Sequence, residues 1–278
     1  MTAQVGYMKI RFSFIVLSLL ALSIVFGSQV QAAGKKRIPQ EKMTILQATV
    51  DDLVKKCEQQ GTGQGWIYVT YQDEMPGDNG VDPVTGVKLP VHSKWQIWYQ
   101  LDSEGKQEQM ISRREDLETG NVWIAMYRYG KMYAYPAGYK TVTVFSAPGN
   151  VYPLKERCAA LDTFLKEGLQ NPAESTITTR FLKDDSGQII REFVQETKRT
   201  EPVEMEIGGR IQSIVGSKVI LLRNDQNGLP VSSAYYVTTD EGNLILTGRY
   251  FDFSLSVVPD LPDEVKSILN WPSEVNQA

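Results

Sequence analysis

One histidine and two cysteines in 278 residues leave little material for catalysis by side chains of those types. His92, in the Pro-flanked "LPVHSK", has no second histidine with which to share a metal or relay a proton, and it reads as a solvated loop residue. Neither a G-x-S-x-G elbow nor an H-E-x-x-H helix motif occurs. The "GGR" at 208–210 lacks the strand, loop and helix context of a phosphate cradle. Asp78, Asn79 and Asp82 in "DNGVD" lack the remaining ligands of a twelve-residue calcium loop, so a solvated turn is expected there. No metal-ligand spacing is present. The expectation is a protein that is not an enzyme and has neither cofactor nor metal.

Positive charge is also short. Lys and Arg total 29 against 33 Asp and Glu, a net charge of −4. Nucleic-acid affinity rests on phosphate neutralisation, so an acidic chain is not expected to bind it. Long apolar runs are confined to one, "FSFIVLSLLALSIVF" over residues 12–26, preceded by Lys9 and Arg11 and followed by "GSQVQAAG". A basic start, an apolar centre and small residues at the end describe a secretory signal peptide, cleaved near Ala32. The run is short beside the roughly 20 apolar residues of a membrane span, although retention as an N-terminal anchor is the alternative. Residues 1–32 are therefore read as a signal peptide, and the rest as an exported protein: periplasmic, cell-surface or secreted. Loss of the two cations in that segment takes the net charge to −6.

Export gives the two cysteines an oxidising surrounding. Each falls on the apolar stripe of an expected amphipathic helix. One helix, about Thr44–Glu58, carries Leu46, Val50, Leu53, Val54 and Cys57; the other, about Tyr152–Glu167, leads into a stripe of Leu154, Cys158, Leu161, Leu165 and Leu169. A Cys57–Cys158 disulfide and two separately buried thiols both fit that pattern.

Elsewhere the pattern is of strands. "WIYVTYQ" (66–72) and "KWQIWYQL" (94–101) are rich in aromatic and β-branched residues. In the second, Trp95, Ile97, Tyr99 and Leu101 alternate with Lys94, Gln96, Trp98 and Gln100. "YFDFSLSV" likewise sets Phe251, Phe253, Leu255 and Val257 against Asp252, Ser254 and Ser256. Five turns share an Asp followed by Gly: "DSEG", "DLETG", "DDSG", "DQNG" and "DEG", beginning at 102, 116, 184, 225 and 240. Gly supplies the positive φ and Asp bonds its own backbone. Short strands joined by such turns make an antiparallel meander, and no exact repeat accompanies them. The fold class is α+β: a large antiparallel sheet with a few helices on one face. Whether the sheet fills its own interior or keeps room for a lipophilic guest is open at this point.

Several stretches resemble one family. "RYGKMYAYP" (128–136) is similar to the D-G-K-x-x-W/Y-x-Y-x-P hairpin of the LolA/RseB-like lipoprotein-carrier superfamily, through Gly130, Lys131, Tyr133, Tyr135 and Pro136, with Tyr129 in place of Asp. Asp225, Gly228, Leu229 and Pro230 resemble a second hairpin of that family, and "FDFSLSVVPDLPDEV" (251–265) its closing strand and exit. No R-x-P element stands in the 94–123 region. The resemblance implies a single domain over 33–278, its sheet curled into an incomplete, half-open β-barrel with helices covering the concave face. It further implies a cavity for an acyl chain of a lipid or lipoprotein, carried or sensed, with a membrane or receptor protein as a further partner. Trp95, Ile97, Tyr99, Phe251, Phe253 and Leu255 are then the expected apolar wall, plain core packing being the alternative for each. The rival reading is an extracytoplasmic interaction or envelope-stress sensor module whose barrel is filled by its own side chains.

Overall fold

The computed structural model describes residues 40–60, 66–75, 91–101, 107–128, 131–135, 143–146, 153–170, 175–207, 210–258, 261–263 and 265–266. The expected signal segment, the "DNGVD" loop, the "DSEG" turn, the Tyr129-Gly130 turn and most of "GGR" lie outside them, as do the side chains of Leu101, Tyr135 and Leu169.

Alternating apolar residues build eleven strands: β1 (Trp66–Glu74), β2 (His92–Leu101), β3 (Gln107–Asp116), β4 (Val122–Arg128), β5 (Lys131–Tyr135), β6 (Thr143–Ser146), β7 (Ser175–Lys183), β8 (Ile189–Ile207), β9 (Arg210–Asn224), β10 (Pro230–Thr239) and β11 (Leu244–Val258). They form one sheet in the order β6-β5-β4-β3-β2-β1-β11-β10-β9-β8-β7, with every pair antiparallel. β6 and β7 do not pair, so the curled sheet stays open. Two helices, α1 (Gln40–Gln60) and α2 (Pro153–Gln170), cover one face. This is the α+β half-barrel.

Both helices outrun their expected ends. α1 begins at Gln40 because Gln, Glu, Lys and Met all favour helix. In α2, Gly168 sits inside the helix instead of ending it. A Cβ there would lie 2.6 Å from Ile177 Cδ1 and 2.9 Å from Gln195 Oε1, so the glycine lets α2 press onto β7 and β8.

The helical stripes meet the sheet in two clusters. Val50 and Leu53 of α1 and Leu161, Phe164 and Leu165 of α2 pack on Phe193 and Leu221. Cys57, Leu154 and Cys158 pack on Ile67, Val69, Tyr71, Ile97, Tyr99, Met110 and Tyr127. Burying one such aliphatic or aromatic side chain contributes about 1.5–3 kcal/mol. Cys57 and Cys158 form a disulfide across the helix pair, Cα to Cα 5.8 Å.

The opposite face is not simply polar. Trp98, expected among Lys94 and Gln96, is 3% exposed and belongs to a third cluster with Ile111, Met126, Leu261 and Val265. Tyr68 stacks on its ring at 4.9 Å. The segment after β11 supplies Leu261 and Val265 and so gives the outer face a core of its own. In the β4–β5 pair, Tyr127 faces Met132 and Arg128 faces Lys131. Tyr127 joins the helix-side cluster, and Met126 with Tyr133 the outer one.

Turn chemistry follows the expectation in part. Gly120, Gly187, Gly228 and Gly242 all have positive φ. Asp116 and Asp184 bond their own turns: Asp184 Oδ1 accepts from the Ser186 and Gln188 amides at 3.0 and 2.8 Å. In the "DQNG" turn Asn224 takes that role, accepting from the Gln226 and Asn227 amides, and Asp225 pairs with Arg191 at 2.7 Å. In the last turn the Thr239 hydroxyl accepts from the Asn243 amide.

Asp116 gives a test. It is buried, and its carboxylate accepts from the Glu118 amide (2.8 Å), the Thr119 amide (3.2 Å) and the Thr119 hydroxyl (2.5 Å). Burial opposes ionisation, but these donors outweigh it and hold the carboxyl below the usual range. A depressed folded pKa stabilises the protein above the unfolded value, near 3.9, and the gain is lost as pH falls through the folded value. Asp116→Ala is expected to cost about 2 kcal/mol in urea melts at pH 7. The gap between variant and wild type should narrow near pH 3; a gap unchanged with pH would contradict the assignment.

Candidate functional site

Six residues were expected as an apolar wall, and five of them face the helices. Ile97 and Tyr99 are buried in the cluster beneath Cys57 and Cys158, and Trp95, Phe253 and Leu255 pack against it. Phe251 does not. Register between β1 and β11 shifts between Thr70 and Gln72, so that Asp252 and Phe253 together oppose Tyr71. Asp252 has φ 54°, a conformation Asp tolerates, and its carboxylate accepts from Gln72 Nε2 at 2.8 Å. This bulge breaks the simple alternation. It sends Phe251 to the outer face, against His92 (ring centroids 5.8 Å) and under the Arg249 guanidinium (4.7 Å). Tyr250 takes the inward place, packed against the helix-side cluster. His92 is likewise no free loop residue: it opens β2, and its Nε2 lies 3.0 Å from Gln72 Oε1.

At one end of the helix-covered face the lining becomes polar. Arg157 of α2 lies over the rings of Tyr71 (4.7 Å) and Tyr250 (4.3 Å). Tyr250 meets Tyr71 edge-on at 6.0 Å and Tyr235 at 6.2 Å. Trp95 stacks on Tyr71 at 5.9 Å and donates its indole N–H to Asp73 Oδ2 at 2.8 Å. Arg114 lies 5.1 Å over Trp95. Beside Arg157, Arg223 of β9 is 4% exposed and donates Nη2 to the Arg157 carbonyl at 2.9 Å. Its Nε and Nη1 are buried without a hydrogen-bond partner.

The charges follow from this packing. Burial lowers the Arg223 pKa, with Arg157's like charge adding and Tyr235 opposing, and the group is pushed down to about 10. For Arg157, burial is outweighed by Tyr71, Tyr250 and Tyr235, and its pKa rises. Burial raises Tyr71, and pushes Tyr250 up to about 12 against the pull of Arg157. At neutral pH both arginines are therefore charged and both tyrosines neutral.

Arg157, Arg223, Tyr71, Tyr235 and Tyr250 were not singled out in the sequence. The available signal was parity: Leu221 and Arg223 occupy the same side of β9, so an arginine was assigned to a core-facing position.

The cavity beside the arginine pair is small. Tyr71, Arg157, Leu221, Arg223, Tyr235 and Tyr250 help line a cavity of about 30 Å³. A second hollow, about 330 Å³, lies on β7–β9 and is lined almost wholly by polar residues, among them Thr176, Thr178, Arg180, Glu192, Glu196 and Lys218. Among the described residues no group of three or more His, Cys, Asp or Glu side chains could hold a metal ion.

No family model matches the chain, and no curated protein matches it. Among solved structures it is similar to an uncharacterized conserved protein from Thermus thermophilus, at 6% identity and TM-score 0.37, over 81% of this chain and 96% of that one. It is similar to a LolA superfamily protein from Nitrosomonas europaea at 10% identity and TM-score 0.28, over 78% and 96%. It is also similar to a β-barrel-like protein of the domain of unknown function DUF1849 from Brucella abortus, at 11% identity and TM-score 0.21, over 72% and 100%. These likenesses concern the fold and assign no residue a role.

Proposed function

We propose that this is a non-enzymatic, exported binding module, an interaction or envelope-sensing protein whose half-barrel is filled by its own side chains. The observation that carries the reading is the interior beneath the helices. The cavity beside Arg157 and Arg223 holds about 30 Å³, whereas small-molecule pockets span about 300–1,000 Å³, and Ile97, Tyr99, Leu154 and the disulfide pack directly against one another. The disulfide and the apolar N-terminal run both support export to an oxidising compartment.

One observation favours a second reading, carriage of a lipid or lipoprotein acyl chain. The disulfide ties α1 to α2, while the described contacts of the pair with the sheet are non-covalent. Lifted as one body, the helices would expose Ile97, Tyr99, Phe253 and Leu255 to alkyl surface, worth about 25 cal/mol per Å² buried. Titration of the mature protein with a pyrene-labelled fatty acid separates the two. The filled module is expected to show no saturable uptake, and one-to-one saturable uptake would support carriage instead.

A further inference from the structure

We infer that Arg157 and Arg223 form a binding site for an oxyanion, a carboxylate or a phosphate, at the polar end of the helix-covered face. This stands independently of whether the apolar wall ever receives an acyl chain. Arg223 is fixed on one side only: Nη2 is held by the Arg157 carbonyl, and Nε and Nη1 are left without partners in the interior. Leaving a buried charged donor unsatisfied is costly, and a planar fork of N–H groups matches the paired oxygens of an oxyanion.

The second cation is already in place. Arg157 is held over two tyrosine rings, beside Arg223, and it shares the same cavity. Ser233 and Tyr235 of β10, which share the face of Leu221, also line that cavity and are hydroxyl-bearing residues. Neither arginine forms a salt bridge among the described residues. Asp73, a buried carboxylate on the same face, gives Oδ2 to the Trp95 indole, and its Oδ1 has no hydrogen-bond partner. Arg223 is buried and Arg157 half-buried beside it; two such positive charges repel each other, and a bound anion between them would convert that repulsion into attraction. The cavity exceeds the roughly 10–15 Å³ that one water requires, which suits a carboxylate or the terminal oxygens of a phosphate group and no larger body.

The experiment uses the whole mature protein, oxidised, in anion-poor buffer. Thermal unfolding is followed during titration with inorganic phosphate or acetate, with chloride at matched ionic strength as control. Co-sedimentation with phosphatidylglycerol and phosphatidylcholine vesicles distinguishes a free anion from a lipid headgroup. Wild type is expected to gain saturable stability with phosphate or acetate beyond chloride, or to sediment with phosphatidylglycerol vesicles alone. Arg223→Met should weaken whichever response occurs by about tenfold or more, while melting no lower than wild type without anion. Should that variant fail to fold, Arg223→Lys keeps a charge without the fork and should still weaken it. Absence of both responses in wild type, or responses unchanged in the variants, would overturn the site.

Discussion

Protein with Cys57 and Cys158 both replaced by serine is expected to lose about 4–5 kcal/mol of stability in urea, the chain-entropy value for a loop of this length. The disulfide spans 101 residues of sequence separation and encloses the first six strands, joining the two helices that cover the sheet. Without it the unfolded chain regains freedom, and two polar hydroxyls take positions that are 1% exposed between apolar stripes. Dithiothreitol should lower the wild-type midpoint toward that of the double variant and leave the variant where it is. Equal midpoints with and without reductant would show that the bridge contributes nothing to the folded state.

Gly228→Ala is expected to cost about 2–5 kcal/mol, more than removing a single core methylene. Gly228 has φ +71°, so an alanine is strained there whatever its surroundings. Its surroundings are also closed. A Cβ would lie 2.0 Å from the Leu53 carbonyl oxygen and 2.9 Å from the Cys57 amide nitrogen, both backbone atoms of α1. The hairpin carrying Gly228, Leu229 and Pro230 is thus the seat on which the first helix rests, and an alanine forces the helix off it. Gly242→Ala is the control: similar φ, +83°, and nothing within 4 Å of the added carbon. Its loss should be confined to backbone strain. Equal losses at the two positions, measured by urea unfolding, would mean that the helix does not bear on Gly228.

The architecture was legible because its signals are local. Period-two alternation in "KWQIWYQL" and helical stripes that include Cys57 and Cys158 need no knowledge of distant residues. What the sequence hid were features set by pairing. A bulge at Asp252 cannot be seen in "YFDFSLSV", which alternates on paper, and it moved Phe251 to the outer face and Tyr250 to the inner one. Trp98 read as an isolated aromatic among polar residues because its cover, Leu261 and Val265, arrives from the other end of the chain. The arginine pair was hidden for a related reason. Nothing local marks Arg157, and only the meeting of α2 with β9 places it beside Arg223. The expected helix stopped at Glu167, one residue short of Gly168, whose role is close packing against Ile177 inside the helix.

The central claim is that the half-barrel is full. Extraction of the protein, purified from the cells that naturally make it, into organic solvent followed by mass spectrometry tests it most directly. A filled interior predicts no lipid in stoichiometric amount. Recovery of about one acyl-bearing molecule per protein would contradict it and give the apolar wall of Ile97, Tyr99, Phe253 and Leu255 to a guest.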